Sequence, residues 1–182
     1  SGTNLVTLDD DNAASKNVSI ASSTAMTVAN GSFDSDDTIN LSGTGAYTVT
    51  ALEATLNATS TSTLNATTAT DGNGGESFSI TGTSTGNVTV NGVDAGDTVT
   101  IDANSTLDNN SVTLVGAANM TVNNLKADVS AGTATGNLTI NADTVNPTSL
   151  SVSTGSGADT ITTSSGNDQV SGNGGADVIS TD

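Results

Sequence analysis

The chain has 182 residues and a formal net charge of -17, with aromatics at 2% and no Cys, Trp or His. Lys16 and Lys126 are its only cationic side chains, so it carries no basic patch for a phosphate backbone or an anionic membrane surface; nucleic acid and membrane insertion are excluded as partners. No apolar run approaches the length of a membrane span.

With so few aromatics, a core has to be made from Val, Ile, Leu, Ala and Met, too thin for an ordinary globule. Two states tolerate that: a disordered chain, or a quasi-one-dimensional solenoid of small stacked rungs. Periodicity decides for the solenoid. Asp9-Asp10-Asp11 opens the chain as a solvated acidic run. Apolar-polar-apolar triplets follow at Val18-Ser19-Ile20, Met26-Thr27-Val28 and Ile39-Asn40-Leu41. Such alternation marks a half-buried strand with both apolar residues on one face. In residues 51–70, Thr55-Leu56-Asn57-Ala58-Thr59 recurs eight residues later as Thr63-Leu64-Asn65-Ala66-Thr67. Leu52 and Leu56 suit the start of a short helix, but the density of β-branched Thr favours strands. Asp71-Gly72-Asn73-Gly74-Gly75-Glu76 reads as a long turn and a sub-domain seam, with partial resemblance to a calcium loop.

The triplets resume at Phe78-Ser79-Ile80, Val88-Thr89-Val90, Val99-Thr100-Ile101, Val112-Thr113-Leu114, Met120-Thr121-Val122, Leu138-Thr139-Ile140 and Leu150-Ser151-Val152, with a weaker strand near Val129. Steps of roughly ten residues between strands imply two short strands per coil and a coil of roughly twenty residues. The fold expected is all-β, a parallel β-solenoid; a Greek-key sandwich is the alternative. Three segments follow: 1–70 as β-rich solenoid, 71–153 as solenoid rungs, and 154–182 as a distinct terminal repeat.

That last segment has a strict nine-residue period: TGSGADTIT from Thr154, TSSGNDQVS from Thr163 and GNGGADVIS from Gly172. Gly recurs at 157, 166 and 175, Asp at 159, 168 and 177, and Ile or Val at 161, 170 and 179. Gly admits a tight turn and bares backbone carbonyls, Asp supplies the hard oxygen that calcium prefers, and the aliphatic residue two positions on points into a core. The pattern resembles the RTX nonapeptide repeat, G-G-x-G-x-D-x-U-x. The first two positions depart from it at Thr154-Gly155 and Thr163-Ser164.

The resemblance implies a parallel β-roll in which each nonapeptide makes one turn and one strand, turns alternate sides, and calcium sits between same-side turns. Carried onto this chain, Asp159 and Asp177 form one same-side pair. The turns holding Gly155, Gly157, Asn173 and Gly175 add carbonyls. Asp168, with Gly166, lies on the opposite side, where its upstream counterpart is Leu150, which cannot ligate. Weaker echoes are Asp37-Thr38-Ile39 and Gly96-Asp97-Thr98-Val99, which suggest the same approach to a strand. Asp34, Asp36 and Asp37, or Asp94 with Asp97, are therefore further candidate ligands.

Catalysis is not expected. Without His or Cys only carboxylate pairs remain, and the aromatic and basic residues that hold a sugar are missing. Composition and RTX copies together resemble a calcium-dependent bacterial surface-layer (S-layer) protein, which implies self-assembly, a cell-surface polysaccharide partner bound through another region, and type I secretion to the cell surface. The chain starts without Met and ends on the beginning of another repeat, so a fragment of a longer protein is expected. An RTX adhesin spacer is one alternative, although no hundred-residue duplication is visible. An ice-binding solenoid is another: Thr48-Val49-Thr50, Thr98-Val99-Thr100 and Thr160-Ile161-Thr162 are candidate ladder rungs, but turn lengths vary too much for a regular array.

Overall fold

A computed structural model of the chain describes residues 4–10, 14–60, 62–70, 77–81, 86–104, 110–143 and 149–181. The expected turn at Asp71–Glu76 and residue Asp11 lie outside these residues. The strands in chain order are β1 (Asn4–Leu8), β2 (Asn17–Ala21), β3 (Met26–Asn30), β4 (Thr38–Gly43), β5 (Tyr47–Leu52) and β6 (Thr55–Ser60). There follow β7 (Leu64–Thr68), β8 (Ser77–Thr81), β9 (Val88–Gly92), β10 (Thr98–Asp102), β11 (Ser111–Gly116) and β12 (Asn119–Leu125). The last are β13 (Asp128–Ser130), β14 (Leu138–Ala142), β15 (Ser151–Ser153), β16 (Thr160–Thr162), β17 (Gln169–Ser171) and β18 (Val178–Ser180). Odd-numbered strands form one nine-stranded sheet and even-numbered strands the other. Both sheets run in chain order, and every strand pairing is parallel. This is a two-sheet β-solenoid, and the sandwich alternative falls.

Alternation dictates the interior. In the even sheet, Val18, Ile39, Leu56, Ile80, Ile101, Val122, Ile140, Ile161 and Ile179 stand in one inward column. In the odd sheet the matching column runs from Met26 and Tyr47 through Leu64, Val88, Val112, Val129 and Val152 to Val170. The two columns face each other in a single apolar cluster. Each fully buried aliphatic side chain contributes about 1.5–3 kcal/mol, which compensates for the scarcity of rings. Tyr47, wholly buried, satisfies its hydroxyl by donating to the Ser42 carbonyl.

Coil length varies, from 17 residues between Thr38 and Thr55 to 24 between Leu56 and Ile80. Most of the variation falls at the corners, and the rest at two bulges. Stacking of the inward column fixes the register of each strand, because a one-residue slip would turn every apolar side chain outward. The outward columns are therefore continuous as well. One in the even sheet runs Thr38, Thr55, Ser79, Thr100, Thr121, Thr139, Thr160. Irregular turn length does not break a ladder here, contrary to the expectation drawn from turn spacing.

Residues 51–70 form strands, not a helix. Where β5 meets β7 the register shifts between Val49 and Leu52, and Ala51 adopts φ 53°. The same device recurs in β12, between Val122 and Leu125, with Asn124 at φ 56°. Each bulge turns a Leu inward and is followed by a buried Ala: Leu52 with Ala54, Leu125 with Ala127. Asp10 also departs from the solvated run, since its carboxylate is nearly covered and pairs with Lys16 at 3.5 Å.

Candidate metal centre

The terminal turns stack so closely that side chains would not fit. A Cβ on Gly155 would lie 1.9 Å from the Ala134 carbonyl oxygen, and one on Gly157 2.3 Å from that of Gly136. A Cβ on Gly175, which has φ +119°, would lie 1.9 Å from the Gly157 oxygen. Carbonyl rows of successive turns thus lie directly over one another. Gly174 N–H donates to the Gly155 carbonyl at 3.0 Å, and the Thr154 hydroxyl donates to the Gly172 carbonyl at 3.2 Å. Asn173, at φ 57°, extends its amide back to Ser153 Oγ at 3.1 Å and to the Thr154 carbonyl. Thr154, a departure from the repeat, is fully buried and ties the two turns together.

The carboxylates are held by backbone N–H groups of the preceding coil. Asp177 Oδ1 accepts from Asp159 N at 3.0 Å, and Asp159 Oδ1 from Leu138 N at 2.8 Å. Asp168 Oδ1 accepts from Leu150 N at 2.9 Å. Asp159 and Asp177 therefore occupy successive positions on one side, and Asp168 stands on the other above Leu150. Asp168 also borders an open concavity of about 400 Å³ with Gly166, Asn167, Gln169 and Thr181.

Asp159 is 1% exposed, and its Oδ2 is buried with no hydrogen-bond partner. A carboxylate oxygen left so costs free energy unless a cation or donor meets it. The Asp177 Oδ2 lies against its own turn, 2.2 Å from where a Gly172 Cβ would stand. Two carboxylates, bared carbonyls and one unsatisfied buried oxygen suit an oxygen-coordinated divalent cation. In the opposite turn Thr163 Oγ1 and Ser164 Oγ are likewise buried without partners. Pattern matching could not single them out, because they occupy the positions that depart from the repeat.

The upstream echoes divide. Through successive pairings Asp37 falls in the same column as Asp159 and Asp177, and its Oδ1 accepts Lys16 N at 2.6 Å in the same way. Its Oδ2 accepts Asp34 N at 3.0 Å. The carboxylates of Asp34, Asp36 and Asp37 lie within 4.8 Å of one another. Asp34 and Asp36 share a hydrogen bond that holds the Asp34 carboxyl below the ordinary value and pushes Asp36 above it, with desolvation and the Asp34 and Asp37 charges also raising Asp36. Asp97 does not join the column. Val99 occupies the position aligned with Met120 and hence with Asp159, so Asp97 stands two residues earlier, buried at its corner. The aliphatic triplet Val99-Thr100-Ile101 draws β10 inward one residue pair sooner.

Elsewhere Asn amides tie the corners in the opposite sense, accepting N–H groups from the coil that follows. Asn119 Oδ1 accepts Asn137 N and Asn137 Oδ1 accepts Ala158 N, each at 2.9 Å, while Asn87 Oδ1 accepts Ser111 N at 3.0 Å. These neutral corner ties were not foreseen in the sequence, where Asn is too abundant to stand out.

Residues 153–182 match the family model of the RTX calcium-binding nonapeptide repeat, in four copies. No curated protein and no solved structure matches the chain. The nonapeptide repeat is a calcium-binding arrangement, and calcium bound here would supply a hard positive centre for the Asp159 oxygen that nothing else satisfies. The terminal turns of this solenoid are thus similar to RTX nonapeptide repeats, a calcium-binding arrangement, over residues 153–182.

Proposed function

We propose that this chain is part of a calcium-dependent, self-assembling surface-layer subunit on the outside of a bacterial cell. Its RTX repeats make it a calcium-binding module of structural or adhesin type, an arrangement that is not typically catalytic. RTX repeat proteins are typically secreted, which supports an extracellular site. The observation that carries the reading is the buried, partnerless Asp159 Oδ2 in a column of stacked carboxylates, which makes the order of the terminal coils conditional on calcium. A chain with 19 acidic and two basic residues repels its own copies. Calcium offsets that repulsion and fixes the shape of the roll. A cell-surface polysaccharide, engaged through another region, is the proposed anchor.

Light scattering of the chain at constant ionic strength tests this. Millimolar calcium should produce large assemblies, while magnesium, which keeps its waters and demands a tight octahedral shell, should not. Equal assembly in magnesium, or in sodium at matched ionic strength, would reduce the effect to charge screening and discard the surface-layer reading.

A further inference from the structure

We propose that the outer face of the even-numbered sheet binds ice. Two outward columns run side by side along it. One is the hydroxyl column from Thr38 to Thr160, unbroken over seven strands. The other, two residues further along each strand, carries Asn40, Asn57, Asp102, Asn123, Asn141 and Thr162 among its members. Neighbouring strands repeat every 4.7–4.9 Å or so, and residues i and i+2 of one strand lie roughly 6.6 Å apart. The face is thus a two-dimensional grid of hydrogen-bonding groups, with a strand repeat close to the a-axis lattice repeat of hexagonal ice.

Three features make the grid suited to a crystal rather than to liquid water. Its amides are locked across strands: Asn57 Nδ2 donates to Asn40 Oδ1 at 3.0 Å, and Asn141 Nδ2 to Asn123 Oδ1 at 2.9 Å. Such side-chain ladders hold a sheet flat. The Thr side chains are β-branched and stiff, presenting methyl and hydroxyl groups at fixed positions without searching rotamers. The face is also nearly neutral. In a chain with a net charge of -17, Asp102 is the single charged residue in these two columns. Charged groups would impose their own hydration shells on the adjacent water. A crystalline polysaccharide would need aromatic rings for sugar faces, and the aromatic side chains among the described ones, Phe33 and Tyr47, are buried.

The opposite sheet provides the control. One of its outward columns, Thr27, Thr48, Asn65, Thr89, Thr113, Ser130, Ser153 and Ser171, is continuous, but the column beside it is broken by Ala29 and Val115, so this face carries a single ladder and no two-column grid.

The test is partition of the calcium-loaded chain into a slowly growing ice front. The chain should be enriched in ice at least tenfold over a soluble protein that does not bind ice. Thr121→Tyr with Thr139→Tyr should abolish that enrichment while the circular dichroism stays unchanged. Thr89→Tyr with Thr113→Tyr on the other sheet should preserve it. Exclusion of the native chain from ice, or equal loss in both double variants, would overturn the proposal. Retention on crystalline cellulose through the same threonines, without uptake into ice, would overturn it in favour of a polysaccharide ligand. Assembly above freezing is read separately, so either proposal can fail alone.

Discussion

Corners tied by amides and corners tied by carboxylates both use a side-chain oxygen that accepts a backbone N–H, but in opposite senses along the chain and with different charge. At Asn87, Asn119 and Asn137 a side-chain oxygen accepts a backbone N–H from the neighbouring coil and the corner is complete. At Asp159, Asp168 and Asp177 an oxygen accepts an N–H from the coil before it, and each carboxylate brings a charge and a second oxygen. At Asp159 that second oxygen is buried and unsatisfied. The aliphatic ladder runs through both regions, so core packing does not distinguish them. The calcium-binding repeats differ from the rest of the solenoid at their corners.

Chelation should separate the two regions most strongly. A ligand that binds only the folded state contributes about 4 kcal/mol at a thousandfold excess over its dissociation constant. Removing calcium should therefore unfold the RTX coils while the amide-closed coils keep their β signal, giving two transitions by circular dichroism and hydrogen exchange. A single transition that chelator does not shift would erase the distinction.

Within the carboxylate region the effect should follow the sides of the roll. Asp159→Ala and Asp177→Ala should each weaken the same calcium site at least tenfold, about 1.4 kcal/mol. Asp168→Ala should leave that site nearly intact, because its carboxylate stands on the other side. Isothermal titration with equal losses for all three would break the two-sided geometry.

Close stacking of the turns gives a smaller but sharper contrast. Gly157→Ala drives a methyl into the Gly136 carbonyl and should cost about 1–3 kcal/mol, whereas Gly132 has open space around its missing Cβ and its change to Ala should be nearly silent. Thermal melts in saturating calcium decide this.

The smallest effect lies at the Asp34–Asp36 pair, a carboxylate corner outside the RTX segment. Asp34 titrates below the ordinary 3.8 and Asp36 above it. Stability from Asp34 is present above its unfolded value and lost as pH falls through the lowered one. That from Asp36 is present below its unfolded value and lost as pH rises through the raised one. The two oppose, so little net pH dependence should appear. NMR titration should show the split, and Asp34→Asn should bring Asp36 down toward 3.8; an unmoved Asp36 would contradict the hydrogen bond shared by the two carboxyl groups.

Strand positions and the nonapeptide corners were legible in the sequence because both depend on local spacing. Alternation marks an inward face within five residues, and Gly and Asp recur at fixed intervals wherever turns must be tight and acidic. The roughly twenty-residue coil followed from the same spacing. Stacking was not legible. Which residue lies over which depends on an aliphatic column assembled from segments 17 to 24 residues apart, and corners of unequal length conceal it. Thus Asp37 and Asp97, alike in local sequence, part company once Val99 takes the aligned position. For the same reason the threonine ladder emerges only when the coils are stacked, and the unsatisfied oxygen of Asp159 only when Leu138 N–H of the coil before it meets one carboxylate oxygen and the other is buried without a partner.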